Sequence, residues 1–175
     1  MTSVDAPLSE APFLIPPPLV EQIQQHALSS YPAECCGLLF ARGEHDVARV
    51  WPTENLQDRL HALDPESHPR TSRNGFHMDA LRVWREVDEA ERRGERLLAF
   101  YHSHIDCDAY FSQEDRDMAA PPPAGVPTYP DVWHIIVACW PEGLREARAY
   151  RWDGEDFIAH AVRGFTRAAT VPVAR

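Results

Sequence analysis

The chain of 175 residues lacks the cysteine pattern of a disulfide scaffold: it has four cysteines, Cys35 and Cys36 adjacent, and no C-x-x-C pair. Reduced thiols in a cytoplasmic protein are the expectation. No apolar run approaches the roughly 20 residues that a membrane-spanning helix needs, and residues 1–7 lack the basic start and apolar core of a secretion signal. An excess of positive charge is missing too. Lys and Arg number 17 against 27 Asp and Glu, for a net charge of -10, which argues against nucleic acid as the main partner because phosphate binding depends on clustered cations. No internal repeat is present. What the sequence does have is 44% hydrophobic residues, enough at this length to bury the core of one domain.

The spacing of apolar residues divides the chain into a loose tail over 1–15, one folded domain over 16–165 and a second tail over 166–175. After Pro16-Pro17-Pro18 a helix is expected over 19–28, with apolar positions three and four apart. Strands follow near 36–41 and 46–51, joined by the turn Arg42-Gly43-Glu44. The polar stretch 52–77 reads as a long loop and the first suspect for substrate contact. A helix over 79–93 places Ala80, Val83, Trp84, Val87 and Ala90 on one stripe, expected to be core. An apolar strand at 97–101 and a short helix at 111–119 come next. The proline-rich segment 121–130 reads as a surface connection, and strands are expected over 134–140, 145–152 and 157–162. The sum is a single-domain α/β fold: a mixed, largely antiparallel sheet flanked by helices.

The chemistry concentrates directly after the strand at 97–101. Alternate residues of a strand share a face, so His102 and His104 present two imidazoles together while Ser103 points away. On the following helix, Ser112 and Asp115 are three apart and also share a face. Two imidazoles and one carboxylate suit zinc and leave a fourth tetrahedral position open, the arrangement of a catalytic site, where the metal would acidify water toward neutrality. Each part has an ordinary explanation as well. Ser112 and Asp115 form a helix-capping pattern, and a His-x-His pair can be the solvated side of a sheet. The conjunction of all four in this order is much rarer than any part. Such a site also needs a base, and Glu34 is the candidate, at the start of the strand that follows Pro32. Asp106, Cys107 and Asp108 follow the histidines closely and compete for the metal, a thiolate being a good zinc ligand.

Glu34 followed far downstream by His102-Ser103-His104, seven residues, Ser112, two residues and Asp115 fills the signature of the JAMM, or MPN-plus, zinc metalloproteases. The chain resembles that family over about 19–163, including Glu34-Cys35-Cys36-Gly37-Leu38-Leu39, Asn55 and Tyr101. It departs at Ile105, where many members carry proline. The resemblance implies an MPN/JAB, cytidine-deaminase-like sandwich, with zinc held by His102, His104 and Asp115, Glu34 as general base and acid, and Ser112 aiding the oxyanion. It implies hydrolysis of an amide at the C-terminal Gly-Gly end of a ubiquitin-like or sulfur-carrier protein, with release of an amino acid such as cysteine as one form. The alternative is a non-catalytic module that docks such a partner. A zinc deaminase is disfavoured, since its H-x-E and P-C-x-x-C signature is absent.

Overall fold

The computed structural model describes residues 9–44 and 46–165. The elements run β1 (Ser9–Leu14), α1 (Pro17–Ser30), β2 (Cys36–Arg42), β3 (Asp46–Thr53), α2 (Gln57–Leu63), α3 (Ala80–Arg92), β4 (Arg96–Ile105), α4 (Gln113–Ala119), β5 (Trp133–Trp140), β6 (Gly143–Trp152) and β7 (Phe157–Arg163). Their seven strands form one mixed sheet in the order β1-β7-β6-β5-β4-β2-β3, parallel at β1·β7 and β4·β5 and antiparallel at the other four pairings.

The two-residue period of the central strands sorts their side chains onto two faces. Leu39, Ala41, Ile135 and Val137 point to one side and pack with Ile23 and Ala27 of α1. Their neighbours Leu38 and Phe40 join Ala90 and Leu97 on the other, where a separate cluster gathers Ile136, Ala138, Phe111 and Ala119. Burying each of the Leu, Ile, Val and Phe side chains among these stabilises the fold by about 1.5–3 kcal/mol. The α1 helix, entered through Pro17, thus covers one face, while α3 and α4 cover the other over two distinct clusters. The α3 helix starts where the Asp79 carboxylate accepts from the amides of Leu81 and Arg82. Between α3 and α4 a gap remains, and β4 runs beneath it.

Gly37 pairs with Tyr101 across β2 and β4. A Cβ on Gly37 would lie 2.5 Å from both the Trp51 carbonyl oxygen and the Tyr101 ring, so glycine is the residue that lets the ring lie flat there. The Tyr101 hydroxyl then reaches His26 Nδ1 at 2.8 Å.

Three expectations need correction. Part of the presumed tail, Ser9–Leu14, is strand β1, parallel to β7, while 1–8 and 166–175 lie outside the described residues. The apolar stripe of α3 is not all core. Only Ala90 is fully buried, Val83 and Val87 are half-buried, and Ala80 and Trp84 are exposed, Trp84 by 63%. The N-terminal half of this helix overhangs the gap rather than the sheet. The 52–77 segment holds the short helix α2 and is tied down by side-chain hydrogen bonds described below. No helix among the described residues is long and apolar enough to cross a membrane.

Candidate functional site

Strand β4 continues past 97–101 to Ile105, so His102 and His104 lie within it rather than after it. They pair with Ile136 and Ala138 of β5 and share the face of those residues, in the gap between α3 and α4. Across the antiparallel pairing Cys36 is opposite His102, which brings Glu34, two residues upstream, alongside the end of β4. Ser103, on the opposite face, fastens that juxtaposition. Its amide donates to the Cys35 carbonyl at 3.0 Å, and its Oγ accepts from the Cys35 amide at 2.8 Å.

His102, His104 and Asp115 are all buried, and their ligand atoms lie within 4.8 Å of one another. Asp115 Oδ1 is 3.2 Å from His102 Nε2, and Oδ2 is 3.5 Å from His104 Nε2. His102 Nε2 is nevertheless without a hydrogen bond although fully buried, a costly state for a polar nitrogen unless another partner takes its lone pair. The tautomer of His104 is set by its other nitrogen: Nδ1 is 3.1 Å from the Asp108 carbonyl oxygen. A carbonyl only accepts, so Nδ1 carries the hydrogen and Nε2 faces the cluster, the arrangement that metal-binding histidines use. A metal of borderline softness such as zinc suits this donor set, and the orphaned His102 nitrogen is what such an ion would satisfy.

Ser112 caps α4 while fixing Asp115, so the capping reading of this pair holds and the cap leaves Asp115 in the cluster. Asp115 Oδ2 accepts from the Ser112 amide at 2.9 Å and from its hydroxyl at 2.6 Å. Burial works against the charge of Asp115, yet the imidazoles of His102 and His104 beside it and the Ser112 hydroxyl hold its carboxyl well below the usual carboxylate range. Burial lowers the pKa of His102 more than Asp115 raises it. For His104, burial acts downward as well, but the Asp115 hydrogen bond and charge outweigh it and the net shift is up. Phe76 stacks on the His102 ring, centroids 4.4 Å apart, and limits its rotation.

Glu34 is buried, and burial pushes its carboxyl up to about 8; the charge of Asp115 adds to the rise, while His104 and Arg70 pull against it. Its backbone is held from both sides. The Glu34 amide donates to the Ser72 carbonyl at 2.7 Å, and the Glu34 carbonyl accepts from Asn55 Nδ2 at 2.9 Å. The Asn55 side chain also donates to the Gly75 carbonyl and accepts from the amides of Gln57 and His77. One amide therefore joins the Glu34 segment to both ends of the 55–77 stretch. Asn55→Ala is expected to cost about 2–3 kcal/mol in urea unfolding, from several lost bonds of about 1 kcal/mol each. Zinc affinity should stay unchanged, because no ligand moves.

Two cavities meet over the cluster. A polar one of about 450 Å³ is lined by Glu34, Arg70, Arg73, His104 and Ser112; an apolar one of about 330 Å³ is lined by Trp84, Phe100, Tyr129, His102 and His134. Phe76, Asp115 and Met118 border both. Tyr129 belongs to the proline-rich segment expected to be a mere connection. The competing ligands point elsewhere: Asp106 takes the Tyr31 hydroxyl and Arg73, Asp108 contributes its backbone carbonyl, and Cys107 lines the polar cavity outside the cluster.

The pattern of prokaryotic homologs of the JAB domain matches residues 16–153, a span that holds Glu34 and the whole cluster. The chain belongs to that family. Relatives of this JAB-domain chain include a CysO-cysteine peptidase of Mycobacterium tuberculosis, 27% identical over 136 residues covering 76% of this chain and 77% of the relative. A desampylase of Haloferax volcanii is 25% identical over 142 residues, covering 79% and 84%. A solution structure of a protein from Desulfitobacterium hafniense shares the fold, with a TM-score of 0.63 and 23% identity over 85% of this chain and 90% of that one. Beyond the JAB-family residues read from the sequence, the cleft also contains Arg70, Phe76, Trp84 and His134, which sequence reasoning did not single out. The first two lie in the flagged 52–77 segment, and Trp84 was assigned to the core. Nothing in the local pattern marks His134, whose ring burial holds neutral, with its pKa lowered to about 4.

Proposed function

We propose that this chain is a zinc-dependent hydrolase of an amide bond at the C-terminal Gly-Gly end of a ubiquitin-like or sulfur-carrier protein, acting in the cytoplasm. The observation that carries it is the convergence of one buried carboxylate, Glu34, and a three-residue ligand set on a single cleft. The names of the two relatives, a CysO-cysteine peptidase and a desampylase, support the substrate class.

His102, His104 and Asp115 would hold the ion. Zinc bound there would polarise the scissile carbonyl and acidify a water. Glu34 receives the proton of the attacking water and returns it to the leaving nitrogen as the C–N bond breaks. A dication nearby favours its ionised form and offsets the effect of burial. Ser112 lines the same cavity, so its hydroxyl can turn from Asp115 toward the developing oxyanion. The test is cleavage of a carrier-amide conjugate by the zinc-loaded protein beside Glu34→Gln. Cleavage by the parent alone supports the reading. Equal cleavage by both removes Glu34 from it, and binding of the conjugate with no cleavage and no zinc makes the chain a docking module.

A further inference from the structure

The cleft has two unlike halves, and the position of Glu34 fixes which half takes which side of the substrate. The group that protonates the departing nitrogen must lie on the leaving-group side of the scissile bond. Glu34 lines the polar cavity and not the apolar one. If the hydrolase reading above holds, the leaving amine enters the polar cavity, and the carrier tail lies in the apolar groove past His102 toward Trp84 and Tyr129. The polar cavity contains Arg70 and Arg73. An amino acid joined through its α-amine bears a carboxylate two bonds from the scissile nitrogen, whereas a lysine joined through its side chain carries only methylenes there.

We infer that Arg70 binds the α-carboxylate of the leaving group, so that this chain selects a single amino acid with a free carboxyl terminus over an isopeptide-linked lysine or an amidated end. Arg70 Nη1 donates to the Asn74 carbonyl at 3.0 Å and Nη2 pairs with Glu114, which uses two of the five N–H donors of the guanidinium. The Asn74 bond aims the side chain. The Glu114 pair is half exposed, 41% and 52% at the two side chains, and such pairs contribute little to stability. A substrate carboxylate can therefore take the place of Glu114 at small cost. Arg73 is pinned to Asp106 at 3.3 Å and is 62% exposed; it adds positive field at the cavity mouth. Hydrolysis balances with water alone. Its oxygen goes to the carbonyl carbon, the C–N bond breaks, Glu34 passes the proton to nitrogen, and the amino acid leaves with its carboxylate unchanged.

The probe is a synthetic peptide, acetyl-Val-Leu-Gly-Gly-Ala, as free acid and as carboxamide. Cleavage is measured with the zinc-loaded parent and binding with zinc-loaded Glu34→Gln. The free acid should be preferred by about 10- to 100-fold in both assays, the range of a charge-assisted bidentate contact. Arg70→Gln should bring the two peptides within about threefold, Arg70→Lys should restore part of the preference, and Glu114→Gln should tighten binding of the acid only. Trp84→Ser, on the groove side, should weaken acid and amide alike. Equal handling of acid and amide by the parent, a preference that survives Arg70→Gln, or no binding of the free acid would overturn the inference. A preference in binding without any cleavage would leave the carboxylate site standing and sink the hydrolase reading instead.

Discussion

Glu34→Gln, fully loaded with zinc, is expected to cleave a carrier-amide conjugate about 1,000-fold more slowly than the parent, within the range that a positioned general acid-base contributes. Zinc affinity should change by less than about tenfold, because the proposed ligands are His102, His104 and Asp115 and a neutral amide of the same size fills the same space. Without metal, the same substitution should act on stability in the opposite direction. In the folded chain burial raises the Glu34 pKa to about 8 from an ordinary 4.5, and the side chain is only 7% exposed. A raised acid pKa means that its stabilising contribution is complete below 4.5 and is lost as pH climbs through 8. Chelated Glu34→Gln should therefore be more stable than the chelated parent by about 4–5 kcal/mol near pH 8.5 and equal to it near pH 4. Urea titrations at the two pH values measure this. Identical stabilities at high pH would mean that Glu34 is solvated and not the buried base of this account.

Zinc at about 100 times its dissociation constant should add about 2.7 kcal/mol of stability, or about 5–10 °C in Tm for a domain of this size. His102→Ala and Asp115→Asn should each remove that increment and weaken zinc binding by more than about 100-fold, since losing a ligand costs more than losing a ligand's supporting partner. Cys107→Ser should keep the increment whole, because its thiol stands outside the cluster. Zinc affinity should also fall as pH drops. The Asp115 contact raises the His104 pKa, and a proton on that ring must leave before the metal binds. Thermal scans with and without zinc, repeated at pH 6 and 8, test all four statements.

Six of the seven strands, both long helices and the residues of the His-His-Asp cluster are legible in the sequence, because each rests on a period that local physics imposes. The two-residue alternation of β4 put His102 and His104 on one face, and the three-residue helical spacing of Ser112 and Asp115 did the same for α4. Glu34 was legible only in company with them, since nothing in its own surroundings distinguishes it from an exposed strand start. The pairing of Cys36 with His102 brings it to the site, and register across the 65 intervening residues is not written in either strand alone. The errors have a common physical origin. An amphipathic stripe on α3 specifies that a face is apolar and not what it meets, so the sequence points Trp84 to the core whereas it lines an open groove. Strand β1 has too few residues, and too many prolines around it, to stand out before β7 offers its edge. The 52–77 stretch was marked by its length and polarity, but its order comes from Asn55 and Ser72 reaching the Glu34 backbone, contacts that exist only in the folded chain.

The claim on which all of this depends is that two imidazoles and one carboxylate grip a single zinc ion within reach of Glu34. X-ray absorption at the zinc edge of the protein loaded with one equivalent of metal tests it directly. Expected is a first shell of nitrogen and oxygen at about 2.0–2.1 Å that includes two imidazoles, absent in a His102→Ala, His104→Ala double variant. A sulfur neighbour near 2.3 Å, or a spectrum unchanged in the double variant, would place the metal elsewhere and contradict the account.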